Sequence, residues 1–206
     1  NTDCYDLTSP RECDHFLKEV TENDTVILCG GDGTLMQFVN SMEHLLPDCE
    51  LLYYASGSGN DFARDVGTSR NAPIDLKPYL AHLPTVTVNG QTYRFLNGVG
   101  FGIDGYCCEE GDRLRKISEK PVNYTKIAIK GLLFRYRPTK AIVTVDGKTY
   151  TYRKVWLAPT MNGRFYGGGM IPTPGQDRLH NETVSTLVMH GAGKLRTLLV
   201  FPSIFK

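Results

Sequence analysis

Two short glycine-rich stretches hold the residues best able to do chemistry. Gly30-Gly31-Asp32-Gly33-Thr34 follows the apolar run Thr25-Val26-Ile27-Leu28-Cys29 and precedes an apolar helical pattern. Glycines between a strand and a helix let the backbone approach a ligand closely, and the free N–H groups and helix dipole there favour phosphate. Asp32 adds a carboxylate, which tolerates phosphate only if Mg²⁺ or a ribose hydroxyl offsets the repulsion. Gly57-Ser58-Gly59-Asn60-Asp61 follows a second apolar run, Leu51-Leu52-Tyr53-Tyr54-Ala55. Neighbouring parallel strands put their carboxyl ends on one edge, so both loops are expected to face one pocket. Asn60 and Asp61 also fit the simpler duty of capping the helix that follows.

The elements that must hold these loops alternate over the first 70 residues. Ser9-Pro10-Arg11-Glu12 reads as a helix start with a capping box. Cys13, Phe16, Leu17 and Val20 then lie on one helical face. Residues 25–29 are expected to be a buried strand with Cys29 inside it. Leu35, Phe38, Val39, Met42, Leu45 and Leu46 mark a helix stopped by Pro47, and Asp61 to Val66 a short helix ended by Gly67. Alternating strands and helices predict an α/β domain with a parallel sheet.

Beyond residue 76 the pattern changes. Asn89-Gly90 and Asp146-Gly147 each sit between runs of alternating character, as hairpin turns do. This half reads as an antiparallel β-sandwich domain interrupted by a helical stretch over about 109–136. The predicted organisation is therefore α/β plus all-β. Residues 1–78 form a nucleotide-binding domain and 79–206 a β domain, with the boundary among Pro73, Pro78 and Pro84.

Composition narrows the function classes. The 206 residues carry 23 Lys and Arg against 22 Asp and Glu, a net charge of +1, so bulk charge gives no case for nucleic-acid binding. Apolar runs stop at five residues, far short of the about 20 needed to span a membrane. Six cysteines without a CxxC pair read as buried, reduced thiols, and five scattered histidines give no zinc spacing. The sequence opens without methionine or a signal segment and stops in an apolar stretch, so it is expected to be a fragment.

GGDGT followed by SGSGNDFAR resembles the diacylglycerol kinase catalytic family, the bacterial lipid kinases that include sphingosine kinase relatives. The likeness continues through Phe95–Asp104, Gly131–Pro138, Asn162–Met170 and the tail Leu198–Lys206. It implies ATP- and Mg²⁺-dependent phosphoryl transfer to a lipid hydroxyl at the inner face of the plasma membrane, by a cytoplasmic, peripheral protein. It places the nucleotide between the α/β and β-sandwich domains. Nucleotide contacts carry over to Gly30, Gly31, Asp32, Gly33, Thr34, Leu35, Met36 and Ser58. Thr8 matches a threonine near the end of an upstream strand. Asn97, Asp104, Asn162 and Gly167–Gly169 are expected to line the cleft from the β side. Relatives often pair, so a homodimer is a further expectation.

Three departures stand out. An opening strand with an NPxSG-like loop is absent. The family's general base lies in an Asp-Gly-Glu motif beyond Lys206, so Asp32 is the only catalytic carboxylate carried over. Asn181 replaces the aspartate of a structural metal loop, with Asp177 or Glu182 as stand-ins. A soluble NAD kinase and a non-catalytic nucleotide- or lipid-binding module remain as alternative readings.

Three motifs are decoys: the GxGxxG of Gly100–Gly105, the Walker-like Gly147-Lys148-Thr149 and the DGE-like Asp146-Gly147-Lys148. The lone Trp156 reads as core. Charge is uneven: residues 113–140 hold nine cations against Glu119, a local +8. Lys126, Lys130 and Arg137 lie at i, i+4 and i+11 on the helix expected over Tyr124–Tyr136, beside Ile127, Ile129, Leu133 and Phe134. Such a helix suits either a solvated face or an anionic membrane.

Overall fold

The computed structural model describes residues 2–67, 72–117, 122–180 and 182–205. The chain divides into two compact units, Asn1–Leu96 and Asn97–Lys206.

In the first unit, α1 (Pro10–Glu19) starts on the Ser9 side chain, which accepts the Glu12 N–H. The expected capping box is altered. The Glu12 carboxylate reaches past Ser9 and accepts the Asp6 N–H at 2.6 Å. β1 (Thr25–Gly30) runs parallel to β2 (Glu50–Ala55), with Gly30 opposite Ala55 at the shared carboxyl edge. α2 (Asp32–Ser41) connects them, α3 (Asp61–Val66) follows β2, and β3 (Ile74–Asp75) pairs antiparallel with β2. The sheet order is β1-β2-β3, so the expected parallel sheet is a parallel pair with one antiparallel strand.

Helices and sheet close on one core that includes Leu28, Leu35, Phe38, Tyr53, Phe62 and Leu76. β1 is not buried on both faces as expected. Leu28 faces the core, whereas Ile27 and Cys29 point outward, because the helices cover one side of the sheet. Of the six free cysteines only Cys49 is buried; Cys4, Cys29 and Cys108 are exposed. The helix expected to run to Pro47 ends at Ser41. A single 3-10 turn, Glu43–Leu45, completes it and leaves Leu45 exposed.

After α4 (Lys77–Leu80), the hairpin β4 (Thr85–Val88) and β5 (Gln91–Arg94) stays with the first unit. Its Asn89-Gly90 turn has both φ angles positive, as a two-residue hairpin loop requires. Asn40 of α2 donates to the Arg94 carbonyl and accepts the Arg94 N–H, and Arg94 pairs with Glu43. These long-range bonds move the division from the 78/79 expected to 96/97.

The second unit begins with β6 (Gly98–Val99) and α5 (Ile103–Ile117), so the helical stretch starts before residue 109. α6 (Tyr124–Lys130) is capped by Asn123, whose side chain accepts the Lys126 N–H at 2.9 Å. It does not run to Tyr136. Residues Gly131–Arg135 widen into a π turn closed by the Tyr136 N–H on the Gly131 carbonyl. β7 (Thr139–Val145) and β8 (Lys148–Val155) form a hairpin. β9 (Thr160–Met161) pairs with β6 and with β10 (Ser185–Thr186), and α7 (Lys194–Val200) closes the unit. The β-sandwich expected here appears as these small antiparallel sheets. Trp156 is core, packed with Ile103, Leu132 and Leu157 and donating its indole N–H to the Ala192 carbonyl at 2.8 Å.

Candidate functional site

Both glycine loops leave the carboxyl edge of the parallel pair and lie against each other. The Ser56 N–H continues the ladder onto the Gly30 carbonyl at 2.9 Å. A Cβ on Gly31 would sit 3.1 Å from the Gly57 Cα, and one on Gly57 would collide with the Gly31 backbone. Glycine at Gly57 is what this approach requires, and at Gly31 any side chain would press on it. Tyr53, fully buried on β2, supports the first loop from below by donating its hydroxyl to the Gly30 carbonyl at 2.9 Å. Burial and the nearby Asp32 push its phenol well above the usual range, so it stays a donor.

Asp32 is the first residue of α2 and crosses to the second loop. Its Oδ2 accepts the Asp61 N–H at 3.0 Å and its Oδ1 the Phe62 N–H at 2.9 Å. The carboxylate thus caps α3 from another element. Asn60, at the N-cap position of α3, makes no capping bond. It is left-handed (φ 53°) and turns its amide N–H to the Gly57 carbonyl at 2.7 Å. Its buried Oδ1 has no hydrogen-bond partner among the described residues. The expectation that Asn60 caps the helix is therefore corrected: the second loop spends Asn60 on its own curvature and takes its cap from Asp32.

The remaining candidates divide by role. A Cβ on exposed Gly33 would meet open space, and the first turn of α2 leaves its N–H and that of Thr34 without intrahelical acceptors. Ser58 is exposed and Gly59 partly covered. Leu35 is core, and its N–H is bound to the Gly31 carbonyl, so it offers no free contact. Met36 lies partly covered beneath Asn40. Asp61 is buried, with Arg64 3.6 Å from its carboxylate. Thr8 is exposed before α1, and its N–H and hydroxyl both go to Asp6 at 2.8 Å. No strand precedes α1 among the described residues, so the strand-end placement expected for Thr8 is not seen.

The second unit gathers two clusters of its own. The Asn97 carbonyl accepts the N–H groups of Asn162 and Gly163, and its side chain accepts from Arg178 at 3.0 Å. Asp104 is partly buried against Gly100 and faces the Tyr166 hydroxyl at 3.4 Å. Burial pushes its carboxyl up to about 7, with the Tyr166 bond pulling the other way. Gly167–Gly169 all have positive φ and form the tight turn that returns Tyr166 to Met170. Sequence reasoning missed Tyr53, Arg178 and Tyr166 as supports. Their signal was faint, a tyrosine or arginine inside an otherwise recognisable segment.

Among the described residues, no group of three or more His, Cys, Asp or Glu side chains could hold a metal ion. Asn181 lies outside the described residues. Of its stand-ins, Asp177 is engaged locally, accepting the N–H groups of Leu179 and His180 and facing the His180 ring at 2.9 Å.

Comparison with known proteins agrees with this architecture. The sequence pattern described as "Diacylglycerol kinase catalytic domain" matches residues 1–90. That described as "YegS C-terminal NAD kinase beta sandwich-like domain" matches 97–206. The Bacillus subtilis (strain 168) protein YtlR is 25% identical over 170 residues, 72% of this chain and 53% of YtlR. A protein named diacylglycerol kinase from Mycobacterium tuberculosis (strain ATCC 25618 / H37Rv) is 28% identical over 193 residues, 89% of this chain and 60% of the relative. The chain thus spans little more than half the length of these relatives. A crystal structure of a diacylglycerol kinase from Bacillus anthracis str. Sterne aligns with 93% of this chain and 62% of its own, at 25% identity and a TM-score of 0.51. A second structure from that organism shares the fold at a TM-score of 0.59 and 23% identity, over 95% of this chain and 66% of its own. Two glycine loops on one sheet edge, with a family match over both units, lead to one conclusion: the chain belongs to the diacylglycerol kinase catalytic family.

Proposed function

We propose that the chain binds ATP on its two glycine loops and serves transfer of the γ-phosphoryl group to a lipid hydroxyl, diacylglycerol-like, at a membrane surface. The observation that carries this reading is the contact of Gly31 with Gly57, tied across by Asp32. It makes one continuous backbone shelf with the start of a ten-residue helix at its edge.

Phosphoryl transfer depends mainly on positioning and on stabilising spread negative charge. The Gly33 and Thr34 N–H groups and the α2 dipole suit phosphate oxygens, and Ser58 offers a hydroxyl from the opposite loop. Asp32 acts as a positioning residue: its two bonds fix the second loop against the first. A carboxylate at the edge of a backbone shelf is the ligand type Mg²⁺ takes, so the residues present fit a phosphate-bound ion that draws most of its ligands from phosphate and water. The ion would supply charge neutralisation at the transferred group. The working location is the cytoplasmic face of the plasma membrane, with peripheral attachment. No helix among the described residues is long and apolar enough to cross a membrane.

The test is label transfer from γ-labelled ATP with Mg²⁺ into mixed micelles of diacylglycerol, phosphatidylglycerol and sphingosine, with NAD present. ATP binding is followed separately. Label in one lipid, lost in Asp32→Asn, is the expected result. Label in NAD overturns the lipid reading. ATP bound with no label transferred overturns catalysis by this chain and leaves a nucleotide-binding module.

A further inference from the structure

We propose that the π turn 131–135 and α7 of the second unit form a surface that docks on an anionic lipid bilayer. The lipid-kinase reading enters only in choosing a bilayer as the partner. The surface itself stands on burial and charge.

Among the described residues, the three most exposed large apolar side chains are Phe134 (75%), Leu199 (74%) and Leu195 (72%). They come from two elements that touch. Lys194, at the start of α7, donates its ammonium to the Leu133 carbonyl at 2.9 Å. Burial within each element fixes which side chains turn out. Gly131 is pressed on the Tyr106 ring, where a Cβ would not fit, and Leu132 is core. The wide π turn then leaves Phe134 and Arg135 outside. In α7, Thr197 is buried and Leu198 packs on the core, so Leu195 and Leu199, one turn apart, share the outer face.

Exposed cations lie on the same two elements and on α6, which runs directly into the π turn. Lys126, Lys130, Arg135 and Arg196 are all exposed. Glu110 of α5 lies within reach of two of them, held below the ordinary carboxylate range first by its bond to Arg113 and also by Lys130 and Arg135. Three cations around one carboxylate leave a net positive rim. Apolar side chains with no cover, beside cations on long flexible stems, match a bilayer, whose acyl region takes the former and whose anionic headgroups take the latter. A protein partner would also have to bury these cations and match them one by one.

The experiment is sedimentation of the full chain with vesicles, in phosphatidylcholine alone and in phosphatidylcholine containing phosphatidylglycerol. The expected result is binding to the anionic vesicles that weakens with salt and falls about tenfold or more in Phe134→Ser/Leu199→Ser. Ile142→Ser, at an exposed apolar site on β7, should leave it unchanged. Phe134→Trp should show a blue-shifted emission only with anionic vesicles. No binding by the parent chain, equal binding by the double variant, or an emission from Phe134→Trp that vesicles leave unshifted overturns the proposal. So does a dimer that dissociates in the double variant, which would make the face a self-contact. Lipid labelling unaffected by the double variant would sink this surface and spare the kinase reading. Vesicle binding through it without label transfer would do the reverse.

Discussion

The Asp32 carboxylate holds the Phe62 backbone N–H at 2.9 Å, although the two residues lie on different helices and in different glycine motifs. With its second bond, to the Asp61 N–H, it replaces the cap that Asn60 does not provide. Each hydrogen bond to a charged acceptor contributes about 1.5–3 kcal/mol. The pair therefore ranks among the strongest fixed contacts between the loops.

Asp32→Ala should destabilise the chain by about 3–6 kcal/mol, since two bonds to a charged acceptor go and the N-terminus of α3 loses its cap. Urea unfolding checks this. Asn60→Ala, by contrast, should cost less than Asp32→Ala. A result in the opposite order would mean that Asn60, not Asp32, supports the second loop.

Gly57→Ala should lower the urea midpoint, because the new Cβ meets the Gly31 backbone and the loops must part, at a cost of about 1–3 kcal/mol. Gly33→Ala should be neutral or stabilising, because its Cβ enters open space in a first helical turn. If the shelf binds phosphate, Gly57→Ala should also weaken ATP binding, measured with a fluorescent analogue.

Burial pushes the Asp104 carboxyl up from its ordinary 3.8 to about 7 in the folded chain. Between those values the folded state holds the extra proton, so this group makes stability fall as pH rises from about 4 to 7. Asp104→Asn removes that slope. The variant should gain on the parent chain between pH 5 and pH 8 in paired urea titrations. A parent advantage that grows with pH would contradict the buried-acid assignment.

Trp156→Phe leaves the Ala192 carbonyl without its indole donor just ahead of α7. A loss of about 1–3 kcal/mol in unfolding free energy is expected from the unpaired group.

Much of the fold could be read locally. The two hairpin turns were legible because Asn-Gly and Asp-Gly tolerate positive φ at both turn positions, and the structure has it there. Ser9, Pro10 and Gly67 mark helix ends for similarly local reasons. The glycine loops were legible because each follows an apolar strand, and the family likeness followed from their wording. Non-local choices were not legible. Exposure of Cys29 depends on which face of the sheet the helices cover. The division at 96/97 depends on Asn40 reaching Arg94, far along the chain. The partners of Asp32 and Asp104 lie on other elements, and nothing in a hydrophobic period or a turn signal encodes which carboxylate a distant N–H or hydroxyl will meet. Local residue types set where the backbone bends and what those bends can accommodate. Tertiary structure decided what touches them, because contacts between distant residues depend on how the elements pack rather than on local dihedral preference.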